Sequence, residues 1–182
     1  MLVIVDRDGV INHESEAYIK SPEEWIPIQG SLEAIAKLNK AGHRVVIATN
    51  QSGVGRGYYS IETLHKIHDA MQRALARVGG HIDRIYYCPH APDDHCRCRK
   101  PQPGLLLDIA ADYPDDFNSA IFVGDSWRDL QAAEAVNIQA VLVRTGNGNV
   151  TVSGGLKDIS VYDDLAAFVD SFLKTTSPDI SY

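Results

Sequence analysis

Leu2-Val3-Ile4-Val5-Asp6-Arg7-Asp8-Gly9-Val10 is the stretch from which the rest of the chain is read. The apolar run is too short for a helix and suits a strand covered on both faces, the situation inside a parallel sheet. It ends abruptly on two carboxylates and a glycine. In open parallel sheets ligands bind beyond the carboxyl ends of the strands, so Asp6 and Asp8 stand where a reactive site is expected.

Similar runs recur at residues 44–49, 84–88, 120–123 and 140–143. Helical patterns at 31–41, 60–78, 104–113, 128–136 and about 162–173 separate or follow them. Ser60 is a good N-cap with Glu62 in the first turn, and Gly42 and Gly79 stand where helices end. This alternation predicts an α/β fold: a Rossmann-like open parallel sheet flanked by helices, with right-handed crossovers. Residues 1–174 are expected to form one domain and 175–182 a frayed tail. Segments 11–30, 51–59 and 89–103 are too long for simple connections. Segment 146–157 is Gly-rich and reads as mobile.

The 182 residues carry a formal charge of -7, with 45% hydrophobic and 23% charged residues. An acidic surface of this kind repels polyanions, so nucleic acid and anionic membranes are not expected partners. No stretch approaches transmembrane length, and Leu2–Val5 meets Asp6 too soon for a signal peptide. Three clustered cysteines without a secretion signal argue against disulfides. A cytoplasmic monomer is expected.

Other strand ends repeat the pattern. The second leads into Thr49-Asn50-Gln51-Ser52-Gly53, and the fourth into Gly124-Asp125-Ser126-Trp127-Arg128-Asp129. Crowded carboxylates repel one another unless a cation neutralises them, and an all-oxygen set suits Mg²⁺. A carboxylate attacks phosphorus once a metal offsets its charge, and a second carboxyl two residues away can protonate the leaving oxygen and then deprotonate water. Asp6 and Asp8 fit those two roles. Thr49 and the amides near Asn50 offer donors for phosphoryl oxygens, and Arg99-Lys100-Pro101 supplies fixed cations. Asp129 reads either as a further metal group or as a charge favouring a helix N-terminus. Cys88, His90, Cys96 and Cys98 have the ligand types and spacing of a closed, structural Zn²⁺ site, with His95 a weaker substitute for His90. Such a staple would fix Arg99 and Lys100.

Asp-x-Asp-Gly, Thr-Asn-Gln, Lys-Pro and Gly-Asp-x-x-x-Asp, in this order, resemble the haloacid dehalogenase superfamily over residues 2 to about 146, and Asp8 points to its phosphatase branch. The resemblance implies Asp6 as nucleophile and metal ligand, and Asp8 as acid/base with its carbonyl on Mg²⁺. It also implies Asp125 as ligand, Thr49 and Lys100 as phosphoryl holders, and Asp129 as a ligand or a support for one. The zinc loop followed by Arg-Lys-Pro, without a large cap domain, is similar to a small group acting on heptose bisphosphate or histidinol phosphate. Segments such as 86–90 and 100–106 favour the heptose branch. The short loop from His90 to Cys96 is shared with the histidinol-phosphate branch, and Ser126 replaces a lysine found in some heptose enzymes. The implied activity is hydrolysis of the C7 phosphate of D-glycero-D-manno-heptose 1,7-bisphosphate, on the route to ADP-heptose for the lipopolysaccharide core. Without a cap, loops 12–18 and 51–59 and the zinc loop must recognise the sugar. Asn50, Gln51 and Ser52 are the expected substrate contacts, with Arg56 and Arg99 for a second phosphate. A DNA 3′-phosphatase would share the motifs but needs a basic groove, and a non-catalytic module would be expected to lack Asp6 or Asp8.

Overall fold

Val3 and Val5 enter one apolar cluster and Leu2 and Ile4 the other, and all four are fully buried. That alternation, with both sides apolar, makes the first strand the centre of the sheet. The computed structural model describes residues 1–156 and 158–176. Among them β1 (Leu2–Val5), β2 (Arg44–Asn50), β3 (Arg84–Cys88), β4 (Ile121–Gly124), β5 (Gln139–Val143) and β6 (Ser160–Tyr162) form one sheet, ordered β3-β2-β1-β4-β5-β6. Every neighbouring pair is parallel.

The helices are α1 (Ser31–Lys40), α2 (Ser52–Gly55), α3 (Ile61–Arg77), α4 (Gly104–Asp112), α5 (Pro114–Phe117), α6 (Trp127–Ala135), α7 (Gly148–Ser153) and α8 (Leu165–Thr176). α1, α3 and α8 cover one face of the sheet through Ile35, Leu38, Ile67, Met71, Phe168 and Val169. On the other face lie Leu105, Leu106 and Ile109 of α4, Phe117 of α5, and Ala132 and Ala133 of α6. The expected parallel α/β architecture is present, with no inserted cap domain among the described residues.

Three expectations need correction. The last helix was expected from about residue 162, but Ser160–Tyr162 is the edge strand β6, paired with β5. α8 starts at Leu165 because Asp164 Oδ1 accepts from Ala167 N at 2.8 Å. α8 continues through Thr176, two residues into the expected tail; positions 177–182 and Lys157 lie outside the described residues. The Gly-rich segment 146–157, read as mobile, contains α7. Thr151 Oγ1 on that helix donates to Asp125 O at 3.0 Å, which anchors it to the end of β4.

The chain builds β1, β2 and β3 outward on one side, then crosses β1 to build β4, β5 and β6 on the other. The strand order therefore reverses between β1 and β4, and their carboxyl ends face a shared crevice.

Candidate active site

Asp6 leaves β1 and Asp125 leaves β4 at that crevice, and Thr49 is the penultimate residue of neighbouring β2. Carboxylate oxygens of Asp6, Asp125 and Asp129 lie within 4.8 Å of one another. All three residues are buried. Lys100 Nζ reaches into the group, 2.9 Å from Asp6 Oδ2, 2.6 Å from Asp129 Oδ1, and 2.7 Å from Ala48 O, to which it donates. Asn50 sets that lysine. Its Nδ2 donates to Lys100 O and its Oδ1 accepts from Lys100 N, both at 3.0 Å. The Asn50 side chain thus grips the Lys100 backbone, and the residue also lines the cavity in front of Asp6.

The space for Asp125 is made by glycines. A Cβ on Gly9 or on Gly146 would come within 2.1 Å of Asp125 Oδ2, and both glycines have positive φ. Asn147 N donates to the same oxygen at 2.7 Å. Burial, then repulsion from Asp6 and Asp129, pushes the Asp125 carboxyl up to about 8. Burial likewise raises Asp6 to about 7, against the pull of Lys100 and with the push of Asp129 and Asp8. Two acids driven toward neutrality by burial and by neighbouring carboxylates form a site that a divalent cation relieves. Ligand oxygens about 2.1 Å from a common Mg²⁺ sit roughly 3–4 Å apart, so Asp6 and Asp125 fit one ion. Asp129 is differently engaged. Its Oδ2 accepts from Asp125 N (3.2 Å), Ser126 N (3.0 Å) and Ser126 Oγ (2.7 Å), while Oδ1 faces Lys100. With both oxygens committed, Asp129 ties the β4 loop to the lysine.

Asp8 sits in a different electrostatic setting. Its oxygens accept from Arg7 Nε (3.1 Å) and Nη2 (2.9 and 3.0 Å), Asn12 Nδ2 (2.8 Å) and Gln51 Nε2 (2.8 Å). Burial alone would raise this carboxyl, but the Arg7 guanidinium and the donors on Asn12 and Gln51 hold it below its ordinary value. Gln51 also donates to Thr49 Oγ1 at 2.9 Å and accepts from Arg7 Nη2 (2.9 Å) and Tyr59 OH (3.0 Å). Its amide is therefore tied into the site's framework at the wall of the cavity. Sequence reasoning did not single out Arg7, Asn12, Tyr59 or Asn147. An arginine between two aspartates at a buried strand end was a usable signal, because a buried cation must be paired.

The crevice opens into a cavity of about 360 Å³. Thr49, Asn50, Gln51, Ser52, Arg56, Arg99 and Lys100 line it, and the structure adds Arg128 and Glu14. The three recognition loops all reach this wall, through Glu14 and Tyr18, through Ser52 and Arg56, and through Pro92 and Arg99. Arg56, Arg99 and Arg128 make no ion pair among the described residues. Burial, then the Arg128 charge, lowers Arg99, whose Nη1 is buried with no hydrogen-bond partner.

Cys88, at the end of β3, converges with His90, Cys96 and Cys98. Cys88 Sγ lies 3.6 Å from His90 Nδ1 and 3.5 Å from Cys96 Sγ. Cys98 Sγ lies 3.2 Å from His90 Nδ1 and 3.5 Å from Cys96 Sγ. Zn–S bonds of about 2.3 Å in a tetrahedron put ligands roughly 3.5–3.8 Å apart, so the four side chains can hold Zn²⁺ with little movement. His95 is absent from the cluster. The loop is docked by Gly55, whose N donates to Pro89 O at 2.8 Å and where a Cβ would lie 2.5 Å from Ala91 N.

An acidic, lysine-bridged cluster at the switch point of a parallel sheet is the arrangement of a HAD-type hydrolase, and a family model described as HAD-hydrolase-like matches residues 97–167. A D-glycero-beta-D-manno-heptose-1,7-bisphosphate 7-phosphatase of Pseudomonas putida is 53% identical over 91% of this chain and 95% of that protein. The enzyme of the same name from Bordetella bronchiseptica is 53% identical over 95% of this chain and 98% of its own length. The crystal structure of D,D-heptose 1,7-bisphosphate phosphatase from B. bronchiseptica, complexed with magnesium and phosphate, superposes with a TM-score of 0.93 at 51% identity. It covers 96% of this chain and 99% of that one. The chain belongs to the D-glycero-beta-D-manno-heptose-1,7-bisphosphate 7-phosphatase family.

Proposed function

We propose that the chain hydrolyses the C7 phosphate of D-glycero-D-manno-heptose 1,7-bisphosphate and leaves the C1 phosphate in place, as a cytoplasmic monomer and a single domain. The observation that carries the chemistry is the pairing at the end of β1: Asp6 beside Lys100 and Asp125, and Asp8 two residues on in its own hydrogen-bonded cage. A Mg²⁺ held by Asp6, Asp125 and the Asp8 carbonyl supplies the positive charge that keeps both carboxylates ionised next to a phosphate. Thr49 and Lys100 orient the phosphoryl oxygens. An Asp6 oxygen attacks phosphorus, the bond from phosphorus to the C7 oxygen breaks, and Asp8 gives that oxygen its proton. Water then attacks the aspartyl phosphate, Asp8 takes the water's proton, and inorganic phosphate leaves with Asp6 restored. Asp8 is low in its cage; an arriving phosphate dianion raises it toward the protonated form that the first step needs. Asp129 acts by holding Lys100 and Ser126.

Arg56, Arg99 and Arg128 support a bisphosphate. Cations that line a cavity and make no ion pair among the described residues suit an anionic group at the end of the substrate remote from Asp6. Zn²⁺ at Cys88, His90, Cys96 and Cys98 holds the loop that presents Arg99 and Lys100. The test is phosphate release from the heptose bisphosphate and from histidinol phosphate, compared by kcat/KM, with phosphorus NMR of the sugar product. A product that retains its C1 phosphate is expected. A product that has lost it, or a preference for histidinol phosphate, overturns the substrate assignment.

A further inference from the structure

Arg7 is almost wholly buried, at 1% exposure, so the direction of each of its N–H groups matters. Nε and Nη2 serve Asp8, and Nη2 also reaches Gln51 Oε1. Nη1 meets His68 Nε2 at 3.3 Å. A guanidinium only donates, so His68 Nε2 is the acceptor and the ring is neutral, with its proton on Nδ1. His68 is buried on the inward face of α3 with Leu64, Ile67, Met71 and Leu75. Its ring packs against Tyr87 at 5.8 Å, and the Tyr87 hydroxyl is paired with His65 Nε2 at 2.9 Å. The charged and titratable groups acting on His68 are therefore Arg7, Asp8, His65 and Tyr87.

We infer that His68 is a positioning residue for the acid–base step: by holding Arg7 Nη1 it fixes the guanidinium that orients the Asp8 carboxyl. The inference rests on the reading of Asp8 as acid and base. Arg7 has one anionic partner, Asp8, and two neutral acceptors, Gln51 and His68, which pull on opposite ends of the fork. Removing the His68 acceptor leaves Nη1 buried and unmet, and the cheapest repair is rotation toward an oxygen already in reach. That rotation turns the carboxyl and tightens the ion pair, both of which oppose delivery of a proton to the leaving oxygen. The periodicity of α3 gives a bland account of His68 as a filler of the core, but a filler has no reason to present a lone pair to the buried guanidinium behind the acid.

The test exploits the leaving group. An alkyl phosphate needs a proton on the departing oxygen, whereas p-nitrophenyl phosphate leaves as a stable anion. His68→Phe, His68→Asn, His68→Gln and Asp8→Asn are assayed with Mg²⁺ on a sugar phosphate and on p-nitrophenyl phosphate, with thermal melting as the control for folding. His68→Phe is expected to lower kcat/KM on the sugar phosphate about tenfold or more, a fraction of a full acid–base contribution, with much less loss on the aryl substrate. His68→Gln, whose carbonyl reaches the position of Nε2, is expected to restore most of it. His68→Asn, which is small and polar but sets its acceptor back from Arg7, carries the test if the Phe variant does not fold. Equal losses on both substrates, or none, while Asp8→Asn keeps its selectivity, overturn the inference alone. An Asp8→Asn variant that is not selective overturns the acid–base reading and this inference with it.

Discussion

Replacing Lys100 by Met removes one charge and keeps most of the side chain's volume. The ammonium is 2% exposed and faces Asp6, Asp129 and the Ala48 carbonyl. Breaking a buried ion pair on one side leaves the partner charge unmet, at a cost of about 3–5 kcal/mol. Here two carboxylates lose the same partner, so the upper part of that range is expected in urea unfolding without Mg²⁺ at pH 8. Asp6 can escape by taking up a proton. Its carboxyl, already raised to about 7 by burial against the pull of Lys100, rises further once that pull is gone, so the penalty grows as pH rises and shrinks as it falls. Lys100 itself is raised above its ordinary value by Asp129 and Asp6, against burial. Its contribution in the parent protein therefore persists below the unfolded lysine pKa and changes little between pH 5 and 8. The difference between variant and parent should be clearly smaller at pH 5 than at pH 8. Activity tests the same lysine a second way. Loss of one fixed donor to a developing oxyanion typically costs about 10²–10³ in rate, and kcat/KM on the heptose bisphosphate should fall by that much. A loss below tenfold, or a stability penalty equal at the two pH values, refutes the account of Lys100 as the countercharge of this cluster.

Asp6→Asn is expected to reduce phosphate release to background without changing the melting temperature downward, and Asp8→Asn to cost about 10²–10⁴-fold; both are read by phosphate assay. Protein purified without chelator should contain one equivalent of zinc by elemental analysis, and Cys96→Ser should lower kcat/KM while the sheet stays folded by circular dichroism. Burial, then the Arg7 and His65 charges, holds His68 down at about 3. The unfolded chain therefore takes up a proton below about pH 6.5 that the folded one refuses, and stability drains away as pH falls from there. Parent protein should lose roughly 2 kcal/mol more than His68→Gln between pH 7 and pH 5 in urea unfolding. Gly9→Ala drives a methyl onto Asp125 Oδ2, and the Mg²⁺ concentration for half-maximal activity should rise at least tenfold.

Five of the six strands and both helical layers were legible because their apolar residues recur at the periods of strands and helices. β6 was not, since Ser-Val-Tyr is too short to show alternation and gains its place only by pairing with β5. α7 was hidden because Gly, Asn and Thr are poor helix formers; contacts with Asp125 hold it. At the site, Asp6, Asp125 and Thr49 announced themselves by residue type at strand ends, and Lys100 by its place in Arg-Lys-Pro between the cysteine cluster and the next helix. Arg7 and His68 did not announce their pairing, because it joins positions 61 residues apart and only the fold, which lays α3 in the same apolar layer as Val3 and Val5, brings them together. The same limit hid the bonds that Asn50 and Gln51, expected as substrate contacts, make to Lys100 and Asp8.

The two hydrogen bonds between Asn50 and the Lys100 backbone have a further consequence. They give the lysine a second tether, to the end of β2, beside the cysteine loop that precedes it. The stretch between His90 and Cys96 can thus be lengthened, shortened or rewritten while the phosphoryl-handling centre keeps its geometry. Editing that stretch changes the wall that Pro92 gives the cavity, while the zinc ligands and Asn50 together keep Lys100 beside Asp6.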